Sequence, residues 1–170
     1  EALDRRIEEL AQGAKYKERV KKLVCLLGVK TRTALASIVE VGDFCRFEKG
    51  STYAAYLGLT PGESSSGDTV RRGGLSKAGN AHLRTLYIEA AQGICKGRIG
   101  HKSKELQARQ AGNSQEVIAY ADQANERLRR KYCRLTHREK KRNVAVAAIA
   151  RELACFIWGL MTNHTERRVA

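Results

Sequence analysis

Apolar residues recur along this chain at helical spacing for most of its length. Leu3, Ile7, Leu10 and Ala14 alternate steps of four and three, and Val20, Leu23, Val24 and Leu27 extend a similar stripe. The pattern predicts an N-terminal amphipathic helix ended by Gly28, with two heptads that allow a short coiled coil without requiring one. It starts at Glu1 without a capping residue, which leads to the expectation that the chain begins inside a longer parent. Thr31 or Thr33 is placed to cap a helix over 34–41, and Ser51 a short one through Tyr53, Ala54, Tyr56 and Leu57. Ser76 is placed to cap a helix from Lys77 to Cys95, with Leu83, Leu86, Tyr87, Ala90 and Ala91 inward. Ser114 opens a long helix. Asn143 opens the last one, whose Val146, Ala150, Leu153, Ile157 and Leu160 form a core stripe. Residues 60–68, rich in Ser, Gly and Pro, and the basic stretch 96–104 read as loops.

The fold class is therefore all-α: a multi-helix domain with a helix-hairpin-helix-like segment and a long basic helical insertion. The expected organisation is an N-terminal helix over 1–27, a helix-hairpin-helix and Ser-loop core over 28–95, and a basic helical insertion over 96–142. A core helix over 143–163 and a tail over 164–170 complete it. A single proline and 6% aromatic residues agree with helices over sheet. At 170 residues the chain is long enough to bury a real core. Its most apolar stretch, Val144 to Met161, contains Arg151 and Glu152 and so reads as a core helix rather than a membrane span.

Charge narrows the partners. Residues 68–142 hold 18 of the 32 Lys and Arg but only 7 of the 18 Asp and Glu, so most of the net charge of +14 sits there. A solvated basic face is the bland reading. A polyanion is the stronger one, because phosphates neutralised by such a patch release counterions. No membrane is expected, since the basic stretches lack the bulky apolar face of an interfacial helix. The cysteines (Cys25, Cys45, Cys95, Cys133 and Cys155) are odd in number and scattered, without C-x-x-C. No disulfide framework follows, and a cytoplasmic location is expected. Cys133 and His137 stand four apart, but two ligands make a poor zinc site, and no metal is assigned.

Two segments carry candidate chemistry. Gly28-Val29-Lys30-Thr31 between amphipathic helices resembles a helix-hairpin-helix, in which backbone N–H groups at a helix start grip a phosphate. Lys30 replaces the usual second glycine, so a direct lysine contact or a plain structural hairpin are the competing readings. The second segment is Thr60 to Asp68, with Ser64, Ser65 and Ser66 between Gly62 and Gly67. Arg71 and Arg72 follow closely, then Lys77, Asn80, His82 and Arg84. A serine hydroxyl attacks a phosphodiester only where charge growing on phosphorus is stabilised and a proton is taken up. Guanidinium groups can supply the first, and a base or metal-bound hydroxide must supply the second. Farther along, Arg127-Leu128-Arg129-Arg130-Lys131 suits an RNA or DNA backbone equally.

The ordered string Ala55 to Gly67, Arg72 to Asn80 and Leu83-Arg84 resembles the C-terminal domain of the insertion-sequence one-ten (IS-one-ten) transposases. Leu27 to Ala34 with Glu40-Val41-Gly42-Asp43 looks like that family's helix-hairpin-helix segment, and Ala148 to Ala154 is similar to its last helix. The resemblance covers roughly residues 20–162. It implies a partner domain of RuvC-like nuclease type carrying a DEDD carboxylate set for Mg²⁺, a serine nucleophile in this domain, and recombination guided by a structured RNA. The family serine falls on Ser65, with Ser66 as the fallback. Nucleic-acid contacts are assigned to Lys30, Arg71, Arg72, Lys77, Asn80, Arg84, Arg129, Arg130 and Lys131. This sequence departs from the family in holding no acidic quartet ahead of the domain, so no cofactor is assigned to it, and Mg²⁺ is expected only with the RuvC-like domain.

The expected function is the DNA-binding, serine-bearing part of a transposase, with DNA and a structured guide RNA as partners and a homo-oligomer in the full-length protein. A non-catalytic nucleic-acid-binding remnant is the alternative. A helical interaction protein with an incidental basic face is the third reading.

Overall fold

The N-terminal stripe does not form one helix. In a computed structural model, which describes residues 2–66 and 69–165 and, within 63–72, the backbone alone, α1 (Ala2–Gln12) and α2 (Lys17–Leu23) are separate. The break falls at Gly13, whose carbonyl accepts from the N–H groups of Tyr16 and Lys17. Glycine loses the most backbone freedom in a helix, so a break is cheapest there. Of α1 only Ala11 is buried, and Leu3 stands 79% exposed, whereas Val20 and Leu23 of α2 enter the core.

Helix α3 (Thr31–Val41) starts a turn earlier than the two threonines suggest. Lys30 occupies the N-cap position without a side-chain bond, and Thr33 is buried, its carbonyl accepting from Ser37 Oγ at 2.6 Å. A 3₁₀ turn over Phe44–Arg46 follows, capped by Asp43 Oδ1 on the N–H of Cys45. In α4 (Gly50–Tyr56) the cap position belongs to Lys49, not Ser51, which lies inside the first turn.

The Ser-rich segment expected as a loop is an antiparallel hairpin of β1 (Pro61–Ser66) and β2 (Thr69–Leu75). Its register pairs Glu63 with Arg72 and Pro61 with Leu75, so Gly73 and Gly74 oppose Gly62 alone and make a bulge. The next helix, α5 (Ala81–Cys95), begins four residues later than Ser76 would place it, because Asn80 is its cap, Oδ1 accepting from Leu83 N at 2.9 Å.

Stretch 96–104 is shorter than expected as a linker, since α6 (Lys104–Gln110) starts at its end under a Ser103 cap. Ser114 caps α7 (Gln115–His137) as expected, and α8 (Arg142–Met161) opens one residue before Asn143. Helix α8 is the axis of the core. Ile149, Leu153, Ile157 and Leu160 are buried among α4, α5 and α7, each such side chain contributing about 1.5–3 kcal/mol of transfer free energy. Its length and apolarity alone would suit a membrane span, but 61% of that window is buried inside the protein. Trp158 Nε1 donates to the Phe47 carbonyl at 3.1 Å, tying α8 to the chain ahead of α4.

Helices α6 and α7 are sewn to the α2–α3 turn by polar side chains. Arg109 donates to the carbonyls of Val29 (3.0 Å) and Leu27 (2.9 Å), and Gln110 to that of Cys25 (3.1 Å). Buried Asn125 takes the Leu27 N–H on Oδ1 and donates Nδ2 to Cys25 O. Eight α-helices and one two-stranded hairpin thus make an all-α domain among the described residues.

Candidate nucleic-acid interface

The hairpin is held at its base by two close backbone crossings. Gly58 (φ 68°) and Gly79 (φ 81°) have left-handed conformations, and any Cβ would collide: 2.1 Å from Ala78 O at Gly58, 1.9 Å from Tyr56 O at Gly79. The segment entering the hairpin and the segment leaving it therefore cross at glycine on both sides. Ser76 N donates to Thr60 O at 2.9 Å and Asn80 N to Tyr56 O at 3.3 Å. Arg84 clamps the crossing, its Nη1 donating to Leu57 O (3.1 Å) and Ala78 O (3.3 Å). On the far side Asn80 Nδ2 donates to Glu40 Oε2 at 2.7 Å, and His82 Nδ1 meets Glu40 Oε1 at 2.5 Å, fixing α5 to α3.

Above this base the backbone register sets the strand that carries the serines beside the strand that carries the two arginines. Ser65 pairs with Val70, Ser66 with Thr69, Ser64 with Arg71 and Glu63 with Arg72. Their side-chain positions lie outside the described residues. Beside the base runs a groove of about 440 Å³ between Pro61, Gly73, Gly74 and Leu75 and the first half of α8. Val144, Ala147 and Ala148 contribute apolar lining, and Lys77, Lys131 and Arg151 line it as well. Lys77 is exposed and left-handed (φ 54°).

The structure brings Lys77 and Lys131 beside the hairpin that carries Arg71 and Arg72, and it places Lys30, Arg129 and Arg130 in other contacts. Lys30 lies in a different cleft, with Arg32, Glu89 and Glu105. Arg129 is 6% exposed and donates to the carbonyls of Arg98 and His101, both at 2.7 Å. Its guanidinium closes the 96–103 loop from inside, directly under Gly97. Arg130 pairs with Glu126 at 2.8 Å. Glu126 also accepts from the N–H of Gly100, and that bond first, then Arg130, holds its carboxyl below the ordinary value. Asn80 and Arg84 hold the hairpin's base through the bonds described above.

Sequence reasoning missed the role of Glu152. It accepts from Lys131 Nζ at 2.5 Å and from Arg127 Nε, with its side chain only 12% exposed. Burial pushes this carboxyl up, yet the bonds and charges of Lys131 and Arg127 outweigh it, and the net shift is downward. Arg151, one residue earlier, is exposed on the groove wall. The signal available in sequence was the Arg151-Glu152 pair breaking the apolar run of α8.

The turn read as a helix-hairpin-helix is braced from inside through its carbonyls. Its carbonyls and the Leu27 N–H are bonded to Arg109, Gln110 and Asn125, and Gly28 packs on α5. No group of three or more His, Cys, Asp or Glu that could hold a metal occurs among the described residues, so the donor set does not fit the Mg²⁺ that the resemblance implies for the larger protein.

Comparison with known proteins places the sequence in a family. Residues 20–108 fit the model described as the transposase IS116/IS110/IS902 family. The chain belongs to that family. It is 42% identical over 139 residues (81% of this chain, 35% of the relative) to y4qE of Sinorhizobium fredii, which carries a transposase name. It is 36% identical over 104 residues (59% and 29%) to the transposase for insertion sequence element IS1111A of Coxiella burnetii. With the transposase for insertion sequence element IS1533 of Leptospira borgpetersenii it shares 30% over 148 residues (82% and 40%). The chain thus spans only about a third of the length of these curated relatives.

Proposed function

We propose that this chain is the C-terminal, DNA-binding and serine-bearing part of an insertion-sequence transposase, which cleaves and rejoins phosphodiesters once a RuvC-like nuclease domain completes it. The observation that carries this reading is the hairpin: three consecutive serines on one strand, paired in register with a strand bearing Arg71 and Arg72, on a base fixed by backbone crossings. A rigid mount is what a nucleophile needs, since misplacement by about 1 Å costs on the order of a hundredfold in rate.

In this reading Ser65 Oγ attacks phosphorus, a new P–O bond forms, and the bond to the leaving deoxyribose oxygen breaks. Arg72, whose register position shares the face of Ser65 in the ladder, stabilises the charge that develops on the phosphoryl oxygens, and Arg71 holds the corresponding position for Ser66. The serine proton goes to a base, and the leaving oxygen receives a proton, at groups of the nuclease domain. Ser66 is the fallback nucleophile. Lys77, Lys131 and Arg151 hold the flanking backbone, and these contacts position without reading sequence. Lys30 contributes to a separate contact, and Arg130 shares its charge with Glu126. A structured guide RNA and assembly of protomers belong to the full-length protein in the same reading, and its place is the cytoplasm.

The test is Ser65→Ala in a full-length transposase. Retained DNA binding with recombination lost supports the reading; undiminished recombination in both Ser65→Ala and Ser66→Ala removes the serines from the mechanism.

A further inference from the structure

The groove beside the hairpin has a composition that a phosphate backbone alone does not explain. Its lining is mostly apolar (Leu59, Leu75, Val144, Ala147 and Ala148), with Lys77, Lys131 and Arg151 as its cations. Val144 is 57% exposed, and Ala147 and Ala148 are partly open. Gly74 offers no side chain, and nothing lies within 4 Å of where its Cβ would be. A site for phosphates only needs donors and gains nothing from so much apolar surface. Small and aliphatic side chains fit instead the face of an unstacked base, and about 440 Å³ is ample room for one.

Charge selects the kind of chain that enters. Arg151 and Lys77 line the groove. Lys131 also lines it, with part of its charge answered by Glu152. A base against the apolar lining with its neighbouring phosphates on these cations satisfies both features. Deoxyribose suits the slot better than ribose. Asn143 is the one uncharged polar side chain in the lining, so a buried 2′-hydroxyl would find little to bond.

We infer that this groove takes an unpaired, single-stranded DNA segment, seating one base on the Val144–Ala147–Ala148 face next to the Ser65 hairpin. The inference rests on the reading of the chain as a transposase part and adds that the strand is locally unpaired where it meets the serine. Base stacking on protein is tolerant of sequence, which suits a site without an assigned base-reading residue.

The test is binding of the full chain to four fluorescent oligonucleotides of equal length at low salt: single-stranded DNA, the same strand with abasic sugars, the duplex, and single-stranded RNA. The single strand with bases should bind on the order of tenfold more tightly than the abasic strand, as burial of one base face against aliphatic side chains implies. It should also bind more tightly than the duplex and the RNA. Ala148→Phe, which fills the slot, should bring the affinity for the single strand down to that of the abasic strand. Equal affinity for strands with and without bases, or tighter binding of duplex or RNA, overturns the inference and leaves the transposase reading standing. Absence of binding to all four overturns both.

Discussion

Gly28 and Ala90 meet through backbone alone: a Cβ on Gly28 would lie 1.9 Å from the Ala90 carbonyl oxygen. Glycine at position 28 is therefore required by helix packing between the α2–α3 turn and α5. Gly28→Ala should destabilise the fold by about 2–3 kcal/mol, as overpacking does. Urea denaturation measures it, and Lys30→Ala, at an exposed position, should leave the midpoint nearly unchanged. Equal, small effects of both would mean that the close approach is not maintained in solution.

Asn125 satisfies two backbone groups of the same turn at once, the Leu27 N–H at 2.9 Å and the Cys25 carbonyl at 3.3 Å. Asn125→Ala leaves the buried Leu27 N–H without this partner, while Cys25 O keeps Gln110. A loss of about 1–3 kcal/mol in folding free energy is expected, read from the denaturation midpoint. A neutral outcome would mean that water replaces the amide.

Glu152 gives a pH signature. Its carboxyl is held below the ordinary value of 4.5 in the folded protein, so its contribution is fully present above the unfolded value. That contribution is lost as pH falls through the lower, folded value. Glu152→Gln should cost about 1–3 kcal/mol near neutrality and flatten the acid limb of a stability–pH curve. An unchanged acid limb would count against the Lys131–Glu152–Arg127 arrangement.

These assignments show which parts of the molecule were legible in its sequence. Ser114 and the stripe of α8 were, because capping and 3.6-residue periodicity are local. The hairpin was not. Its Ser and Gly lack the β-branched and aromatic residues that mark strands, and what closes it are contacts of Gly58 and Gly79 with segments about twenty residues away. The basic residues misled for a related reason. Arg84 and Arg129 read as nucleic-acid contacts, yet each is bonded to a main-chain carbonyl far along the chain, Leu57 for the first and Arg98 for the second. Composition counts a charge; only the fold says where its donors go. Lys77 and Lys131 could be listed from sequence, but their meeting in one groove depends on how β2 lies against α8.

Arg71→Ala and Arg72→Ala should each weaken binding regardless of base sequence. The salt dependence of log affinity should become shallower by about 0.7 per lost contact on single strands, or about 0.9 on duplex. Fluorescence anisotropy between low and physiological salt measures it. Strong dependence of the loss on oligonucleotide sequence would contradict a backbone role for the two arginines.

The central claim is that a serine of the hairpin becomes covalently joined to DNA. It is tested most directly by incubating a full-length transposase with labelled element-end DNA, denaturing the mixture, and locating any DNA-linked peptide by mass spectrometry. The account predicts a phosphodiester on Ser65, or on Ser66, that disappears when that serine is replaced by alanine. Recombination proceeding with no adduct on Ser64, Ser65 or Ser66, and undiminished by their replacement, would contradict it.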